Sequence, residues 1–362
     1  MDSKLKDKRL IDYLLPVLVW GLVFYSTWAF SHKLCYNQIY KNFKHESIAI
    51  GLICIICILD ITLIIIWIQL IWIYGPGRQP KIPPFILIDN GIRNNFGSIE
   101  PTATASIPPP VFYECDINGY PIWCDTCKSL KIGRTHHSKR LGYCIPRFDH
   151  HCMWVGTVIG KSNYLLFTQF VFYFSCLLLI FWISIVSYIK RIVDYPHTGY
   201  KLDPNLIVIL ILSVPFSIMT LSLFLSHVYF TFMNRTSLEI INIKRNKKLN
   251  IKKFVCYLDK TSGNRYVIEM SPEDMANIWK KRSIWENFKE VLGNNFLFWF
   301  IPFDIRKRQV KQNNDPECIQ SLDYILGFYN EAIGEDAKLL IEQKIINSNY
   351  LKTFRAFGDQ YH

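Results

Sequence analysis

The chain has 362 residues, of which half are apolar and 15% are aromatic, and its formal net charge is +12. The apolar residues form long blocks and lack the dispersed amphipathic periodicity of a soluble domain, which excludes an ordinary soluble globular protein. The basic residues lie mainly between and beyond these blocks. Loops beside anionic lipid account for the charge more simply than nucleic-acid binding does, so we expect no nucleic-acid partner.

Four of the apolar blocks are long enough to cross a bilayer. A hydrocarbon core of about 30 Å requires about 20 residues of helix, at about 1.5 Å per residue. The sequence therefore predicts an all-α membrane protein that contacts membrane lipid along four transmembrane helices. These are 14–31, 48–74, 164–189 and 206–233.

The remaining segments are the N-terminus 1–13, a linker 75–111, a cysteine-rich domain 112–163 and a C-terminal tail 234–362. Four spans place all of them on one side of the membrane, and most Lys and Arg residues belong to them. A basic run at 244–248 directly follows the fourth span. Because positive charge favours the cytosolic side, we expect a multi-pass protein with cytosolic termini and a cytosolic cysteine-rich domain.

The cysteines indicate a metal site in that domain. The chain has eleven, an odd number that clusters with histidines, which favours a reducing compartment over a secreted disulfide framework. Cys124 and Cys127 are spaced to bind one ion from a tight turn, and His137 and Cys144 complete a set of four that suits Zn²⁺. His136 could serve in place of His137, and a reduced pair of thiols without metal is the alternative.

A second group of residues indicates nucleophilic chemistry. A thiol with an unperturbed pKa of about 8.5 becomes a good nucleophile when an imidazole takes its proton. Cys152 has His150 two residues away, and Asp149 can orient that imidazole. The thiol lies shortly before the third span, and Trp154 between them suits the membrane interface. A reactive thiol at the edge of a bilayer suits acyl chains.

The stretch 124–167 resembles the DHHC protein S-acyltransferases (palmitoyltransferases), and its departures from their pattern resemble those of a fungal protein fatty acyltransferase subgroup. The residues that carry the resemblance are Asp149-His150-His151-Cys152, with Gly160, Asn163 and Phe167 behind them. Looser matches lie elsewhere. Gly75-Pro76-Gly77 is similar to the family's Asp-Pro-Gly motif, Thr236 and Glu239 belong to a Thr-Thr-x-Glu-like motif, and Asn287 begins an Asn/aromatic motif.

The resemblance implies two-step acyl transfer. Cys152 attacks the thioester of a fatty acyl-CoA, palmitoyl-CoA above all, and the acyl group then passes to a cysteine of a substrate protein. His150 moves the proton, and Asp149 supports it. The other matching residues are expected to support or orient the site; they are His151, Trp154, Asn163, Thr236, Glu239 and Asn287.

The family holds two structural zinc ions, and this chain departs from that pattern. Cys124, Cys127, His137 and Cys144 match one complete site, but three cysteines of the other fall at Ser138, Leu141 and Val158, leaving only His151. We therefore expect one zinc ion, with His151 kept as an orienting residue. Leu141 and Val158 are expected to replace the lost cross-link by apolar packing, worth about 1.5–3 kcal/mol each if fully buried.

Two other hypotheses fit the pattern less well. A catalytically weak, zinc-stabilised membrane scaffold or pseudoenzyme would explain the missing second site, but it leaves the intact Asp149, His150 and Cys152 without a purpose. A metal transporter would need several polar ligands within the spans. The spans offer mainly Asp60, Cys54, Cys57, Cys176 and His227.

Overall fold

The computed structural model describes residues 3–82, 110–194, 202–303 and 332–355, with side chains from residue 13 onward. Most of the predicted linker 75–111 and parts of the tail lie outside the described residues.

The helices are α1 (Ser3–Ala29), α2 (Glu46–Ile68), α3 (Tyr164–Val193), α4 (Pro204–Phe232), α5 (Ser237–Leu249), α6 (Pro272–Asn277), α7 (Ile284–Leu292) and α8 (Glu335–Ile346). The strands are β1 (Phe112–Cys115), β2 (Trp123–Cys124), β3 (Ser129–Leu130), β4 (His136–Ser138), β5 (Tyr143–Ile145), β6 (His150–Cys152), β7 (Thr157–Ile159), β8 (Lys253–Asp259), β9 (Asn264–Met270) and β10 (Lys352–Arg355).

The chain divides into two compact units. The first comprises the described residues within Met1–Gly75, His151–Tyr229 and Leu292–Ile305, and the second comprises those within Pro76–His150, Phe230–Val291 and Arg306–His362. The first unit contains the long apolar helices, and the second contains most of the cysteine-rich loops and the tail.

Four helices of the first unit are long and apolar enough to cross a membrane. They are Tyr13–Asn42, Glu46–Ile73, Tyr164–Val193 and Pro204–Phe232. The first two end in π-helical turns, Phe30–Asn42 after α1 and Gln69–Ile73 after α2. Large apolar side chains remain exposed along all four helices, as expected where lipid replaces water as the solvent.

The first helix runs past the predicted end of its span. The polar composition after Ser31 predicts a connector between the first two spans, but helical structure continues to Asn42. The cause is a buried stripe, because Leu34, Cys35 and Ile39 are fully buried in the apolar core of this unit. Burial on one face therefore outweighs the polar residues on the other.

Polar contacts join the spans within this core. Thr27 Oγ1 donates to Asp60 Oδ2 at 2.9 Å, so the intramembrane acid makes a plain hydrogen bond between α1 and α2. Cys54 and Cys57 are exposed on α2, whereas Asp60 is buried. These three side chains therefore do not form a ligand set of the kind that the transporter hypothesis needs.

The second unit contains an antiparallel sheet in the order β1-β8-β9-β10. The stretch 254–270, broken by Ser-Gly-Asn at 262–264, predicts a hairpin, and the central hairpin β8–β9 confirms it, with Asp259 opposite Asn264 at the turn. The run Ser271-Pro272-Glu273-Asp274 predicts a helix start with a capping acid, and this is confirmed, because the Ser271 side chain accepts from Asp274 N in a capping box at the start of α6. The protein is thus mostly helical, with a sheet that the all-α prediction did not include.

Candidate active site

Short hairpins bring the predicted metal ligands together in the second unit. Cys124 ends β2, and Cys127 lies in the turn before β3. His137 and Cys144 are directly opposite each other in the β4–β5 pair. One tight turn and one strand pair therefore hold four side chains that lie within 21 residues of the sequence.

The distances within this set are close to those of a tetrahedral metal site. His137 Nδ1 lies 3.5 Å from Cys124 Sγ, 3.2 Å from Cys127 Sγ and 3.9 Å from Cys144 Sγ. All four ligand atoms lie within 4.8 Å of one another. Around a zinc ion with bonds of about 2.1–2.3 Å, tetrahedral ligand atoms stand about 3.5–3.8 Å apart. The residues present can therefore hold a metal ion.

The surroundings distinguish the two adjacent histidines. His136 is exposed and packs its ring on Phe148, with ring centroids 5.1 Å apart, whereas His137 points into the thiol cluster. Although the residue is exposed overall, partial desolvation of its ring lowers the pKa of His136, and the nearby Lys131 lowers it further. Burial raises the pKa of the Cys144 thiol well above its ordinary value, and the neighbouring thiols add to this effect. A cation among these thiols would offset that burial.

The residues at the missing second site behave differently from one another. Ser138 is buried, and its Oγ accepts from Leu141 N at 3.3 Å, so a hydrogen bond closes the turn. Val158 is buried, as expected, but Leu141 is 39% exposed and does not provide the expected packing. Leu141 lies on the turn before Gly142, whose φ of +76° directs the chain back into β5, and this position faces outward.

Gln79, just beyond the second span, is hydrogen-bonded to the loops that carry the candidate metal ligands. Its backbone N–H donates to Cys144 O at 2.9 Å, and its side-chain amide donates to Ser129 Oγ at 3.2 Å and accepts from Ile132 N at 3.1 Å. Ile82 N also donates to Ser129 Oγ, at 2.9 Å. Gln79 is buried, and these bonds satisfy the hydrogen-bonding groups of its side-chain amide.

Asp149 and His150 form a hydrogen-bonded pair. Asp149 Oδ2 lies 2.7 Å from His150 Nδ1, and the carboxylate is fully buried while the imidazole is partly exposed. Ser237 holds the carboxylate from the other side, since its backbone N–H donates to Asp149 Oδ1 at 2.8 Å and its hydroxyl donates to Oδ2 at 2.9 Å. This arrangement directs the Nε2 atom of the imidazole away from Asp149, where it can act as a base.

The Thr-Ser-x-Glu motif builds the support for that pair. Thr236 and Glu239 cap α5 reciprocally in a capping box, which fixes Ser237 at its first turn. Glu239 also binds Arg134 in a bidentate ion pair, at 2.7 and 2.9 Å. Arg134 donates further to Asn234 Oδ1 at 2.9 Å, so one buried guanidinium joins the metal loop to the motif.

We expect Arg134→Ala to destabilise the protein by about 3 kcal/mol, because removing one partner of a buried ion pair leaves the other charge uncompensated. The measurement is thermal unfolding of the purified protein in detergent. Lys139→Ala, which removes an exposed cation from the neighbouring β4–β5 turn, is the matched control and should change stability by no more than about 0.5 kcal/mol. Equal losses in both variants would contradict the assignment.

Cys152 lies in the first unit, at the wall of an apolar cavity. The thiol-bearing residue is only 7% exposed, and the cavity beside it has a volume of about 320 Å³. Side chains of α1, α3 and α4 line the cavity, among them Leu18, Phe167, Val171 and Phe216. Such a space suits a hydrocarbon chain and offers no counter-charge to a polar ligand.

The loop that follows Cys152 is held on both sides. Gly156 N donates to Cys152 O at 2.9 Å, and Trp67 Nε1 on α2 donates to Val155 O at 3.2 Å. Asn163 is fully buried, accepts from Gly160 N and donates to Val158 O, both at 2.9 Å. These bonds fix the return of the chain into α3.

The other predicted site residues have different surroundings. Trp154 is 44% exposed and packs edge-on against Phe216 of α4, with ring centroids 6.1 Å apart, so it lines the cavity. His151 is half-buried at the centre of β6. Asn287 is fully buried in the second unit, where its amide accepts from Lys281 N at 2.8 Å and donates to Lys281 O at 3.2 Å. Asn287 therefore supports the loop before α7.

Sequence reasoning missed several residues that support the site. They are Ser237, Arg134, Asn234 and Gln79. Ser237 lies between Thr236 and Glu239, and Arg134 lies between Cys127 and His137. Their positions within these motifs indicate a supporting role. For Gln79 the signal was only its place directly after the second span.

Comparisons with known proteins agree with this geometry. The family model described as DHHC palmitoyltransferase matches residues 117–244. The chain is 40% identical to palmitoyltransferase PFA5 of Saccharomyces cerevisiae, covering 99% of this chain and 97% of the relative. Palmitoyltransferase PFA5 of Candida glabrata is also 40% identical with the same coverage, and that of Kluyveromyces lactis is 38% identical over 93% of each chain. The chain therefore belongs to the DHHC palmitoyltransferase family.

Proposed function

We propose that this protein moves a long-chain fatty acyl group, palmitoyl above all, from acyl-CoA to cysteines of substrate proteins at the membrane surface. The observation that carries the proposal is the position of Cys152, a buried thiol that opens onto an apolar cavity between three apolar helices. Membership of the palmitoyltransferase family supports the same reaction.

In the first step the Cys152 thiol attacks the thioester carbonyl of acyl-CoA. His150 takes the thiol proton, and Asp149 stabilises the resulting imidazolium. His150 and Cys152 are two residues apart in β6, a spacing at which the side chains of a strand leave the backbone on the same side. The bond from the carbonyl carbon to the CoA sulfur breaks, and CoA leaves with the proton that His150 returns.

In the second step the thiol of a substrate protein attacks the new thioester on Cys152. His150 accepts the proton of that thiol, the bond to Cys152 Sγ breaks, and the proton returns to Cys152. The acyl chain remains in the cavity lined by residues such as Val171 and Phe216 until transfer. Burial of this chain excludes water and protects the thioester from hydrolysis.

One zinc ion is proposed to be held by Cys124, Cys127, His137 and Cys144. A closed set of four protein ligands supplies a structural cross-link and no open coordination position, so zinc stabilises the loops around Asp149. No second ion is proposed, because Ser138, Leu141 and Val158 offer no set of thiolates.

The cysteine-rich domain 112–163, the N-terminus 1–13 and the tail 234–362 are proposed to be cytosolic. The support is the excess of Lys and Arg in these segments and the basic run beyond α4. Residues 75–111 then connect the second span to the cysteine-rich domain on the same side. Membrane lipid is the remaining partner, along the exposed apolar faces of the spans. Nothing among the described residues favours a non-catalytic scaffold instead.

The test is direct mapping of the acyl-enzyme. The purified full-length protein is incubated with palmitoyl-CoA, digested and examined by mass spectrometry for acylated cysteines. We expect one hydroxylamine-sensitive acyl group, on Cys152. An acyl group on other cysteines alone would overturn the assignment of the nucleophile.

Replacement of Asp149 by Asn should slow formation of the acyl-enzyme by a factor on the order of 10²–10⁴. Asn can still accept from Ser237 N but carries no charge to stabilise the imidazolium. The measurement is the single-turnover rate of labelling by acyl-CoA. Ser237→Ala, which loosens the carboxylate and leaves its charge, should cost only about 10–100-fold. A smaller effect from D149N than from S237A would contradict the proposed role.

Replacement of Val171 by Trp should shift the preference toward shorter acyl chains. Val171 is buried, and its side chain faces the cavity, so an indole there shortens the space for hydrocarbon. The measurement is competition between acyl-CoA species of different chain length in the labelling reaction. An unchanged preference for chain length would contradict the assignment of this cavity as the acyl-binding site.

A further inference from the structure

The segment that follows α7 is an exposed apolar stretch. Residues 293–303 contain no charged side chain and four Phe and one Trp in eleven residues. A short 3₁₀ turn, Phe296–Trp299, lies at its centre. Leu297 is 67% exposed, and Phe296, Phe300 and Phe303 are each about half exposed. In water such a patch would be costly, so it indicates a partner that covers it.

Polar side chains from two spans bind the backbone carbonyls of this segment. Gln169 Nε2 on α3 lies 2.9–3.1 Å from the carbonyl oxygens of Phe298, Trp299 and Ile301, which share its two N–H donors. Tyr173, one turn further along α3, donates its hydroxyl to Phe300 O. Gln69, at the end of α2, donates to Pro302 O at 2.7 Å. Five consecutive carbonyls, 298–302, thus receive donors from the membrane-spanning helices.

The depth of the segment follows from its place along α3. This helix has 30 residues and is about 45 Å long, which exceeds a hydrocarbon core of about 30 Å by roughly 7 Å at each end. Gln169 lies five residues into α3, at about that distance from its start, and Tyr173 lies about 6 Å further. The carbonyls they bind are therefore at the boundary between headgroups and hydrocarbon.

The two observations explain each other only if lipid surrounds the segment. A carbonyl in water needs no protein donor, whereas irregular backbone at membrane depth must find its hydrogen bonds within the protein. Gln69 and Gln169 would also be costly within apolar spans without such partners, and both are buried. Trp and Phe side chains are those that membrane interfaces favour.

We propose that residues 293–303 form an interfacial anchor whose side chains insert into the lipid leaflet at the Cys152 end of α3, while α2 and α3 bind its carbonyls. The partner is the bilayer itself. Gln169 and Tyr173 alternate with Phe170 and Phe174, which line the cavity beside Cys152, so the anchor braces the helix that forms the cavity wall. The anchor does not depend on the proposed chemistry.

The test is photo-crosslinking of the full-length protein in phosphatidylcholine nanodiscs. p-Benzoylphenylalanine is placed at Leu297 and, as the matched control, at Ile346 of α8, which is also strongly exposed. We expect a phospholipid adduct at position 297 and none at 346. An adduct yield at 297 no greater than at 346, or a crosslink from 297 to protein alone, would overturn the proposal.

A second variant tests the role of the carbonyl contacts. Gln169→Leu removes the donor to three carbonyls without adding charge, and we expect the lipid adduct at position 297 to decrease. An undiminished yield of the lipid adduct would show that the segment keeps its position in the leaflet without the Gln169 contacts, and would overturn that part of the proposal. Labelling of Cys152 by acyl-CoA, measured on the same samples, reports separately on the proposed reaction.

Discussion

A Cys152→Ser variant is expected to lose the hydroxylamine-sensitive acyl label completely. The serine hydroxyl has a much higher pKa than a thiol and forms an oxyester, which neutral hydroxylamine does not cleave. Because Cys152 is buried at the cavity wall, the smaller oxygen is also tolerated without a clash, so the fold should be kept. The measurement is transfer of a labelled fatty acyl group from acyl-CoA to the purified protein.

Cys54→Ser is the matched control for that experiment. Cys54 is an exposed cysteine on α2, outside the cavity and outside the metal cluster, and its variant should label like the wild type. Thermal unfolding of both variants separates lost chemistry from lost structure. A label that persists in C152S with its sensitivity to hydroxylamine would place the acyl-enzyme on another thiol.

Removal of the metal is expected to have the largest effect on stability. Binding of a structural zinc ion contributes about 10–16 kcal/mol of apparent free energy in zinc-finger peptides, because the folded site exists only with the ion. Cys127→Ser should therefore reduce the zinc content from one ion per chain to none and lower the unfolding temperature strongly. A strong chelator should produce the same change in the wild type.

Elemental analysis of the purified protein gives the zinc count, and thermal unfolding gives the stability. Cys54→Ser again serves as the control and should retain the ion. Two ions per chain would contradict the assignment of Ser138, Leu141 and Val158 as a site without metal. A wild-type protein that keeps its unfolding temperature in the chelator would contradict the structural role of zinc.

The features that sequence predicted well are those fixed by local pattern. Length and apolarity predicted four membrane-capable helices, a Ser-Gly-Asn break predicted the β8–β9 hairpin, and spacing predicted the group Cys124, Cys127, His137 and Cys144. The first helix was predicted too short because composition alone makes Ser31–Asn42 a connector. Its buried face is visible only once the other spans are packed against it.

The support of Asp149 could not be predicted in the same way. Ser237 binds Asp149 across 88 residues of sequence, and Arg134 binds Glu239 across 105. No periodicity or spacing specifies such partners, because they depend on how the cysteine-rich loops fold against the start of α5. Their positions within motifs indicate a role in the site, but the partner of each residue is visible only in the folded structure.

Gln79 and Ile82 are hydrogen-bonded to the loops that carry the candidate metal ligands. Ile82 is bound to Ser129 and Leu130 on one side of residues 83–109, and β1 is paired in the sheet on the other side. Both ends of that interval are therefore fastened to the same folded unit. Because contacts outside residues 83–109 hold both ends, we expect a peptide inserted between Ile82 and β1 to leave the second unit folded.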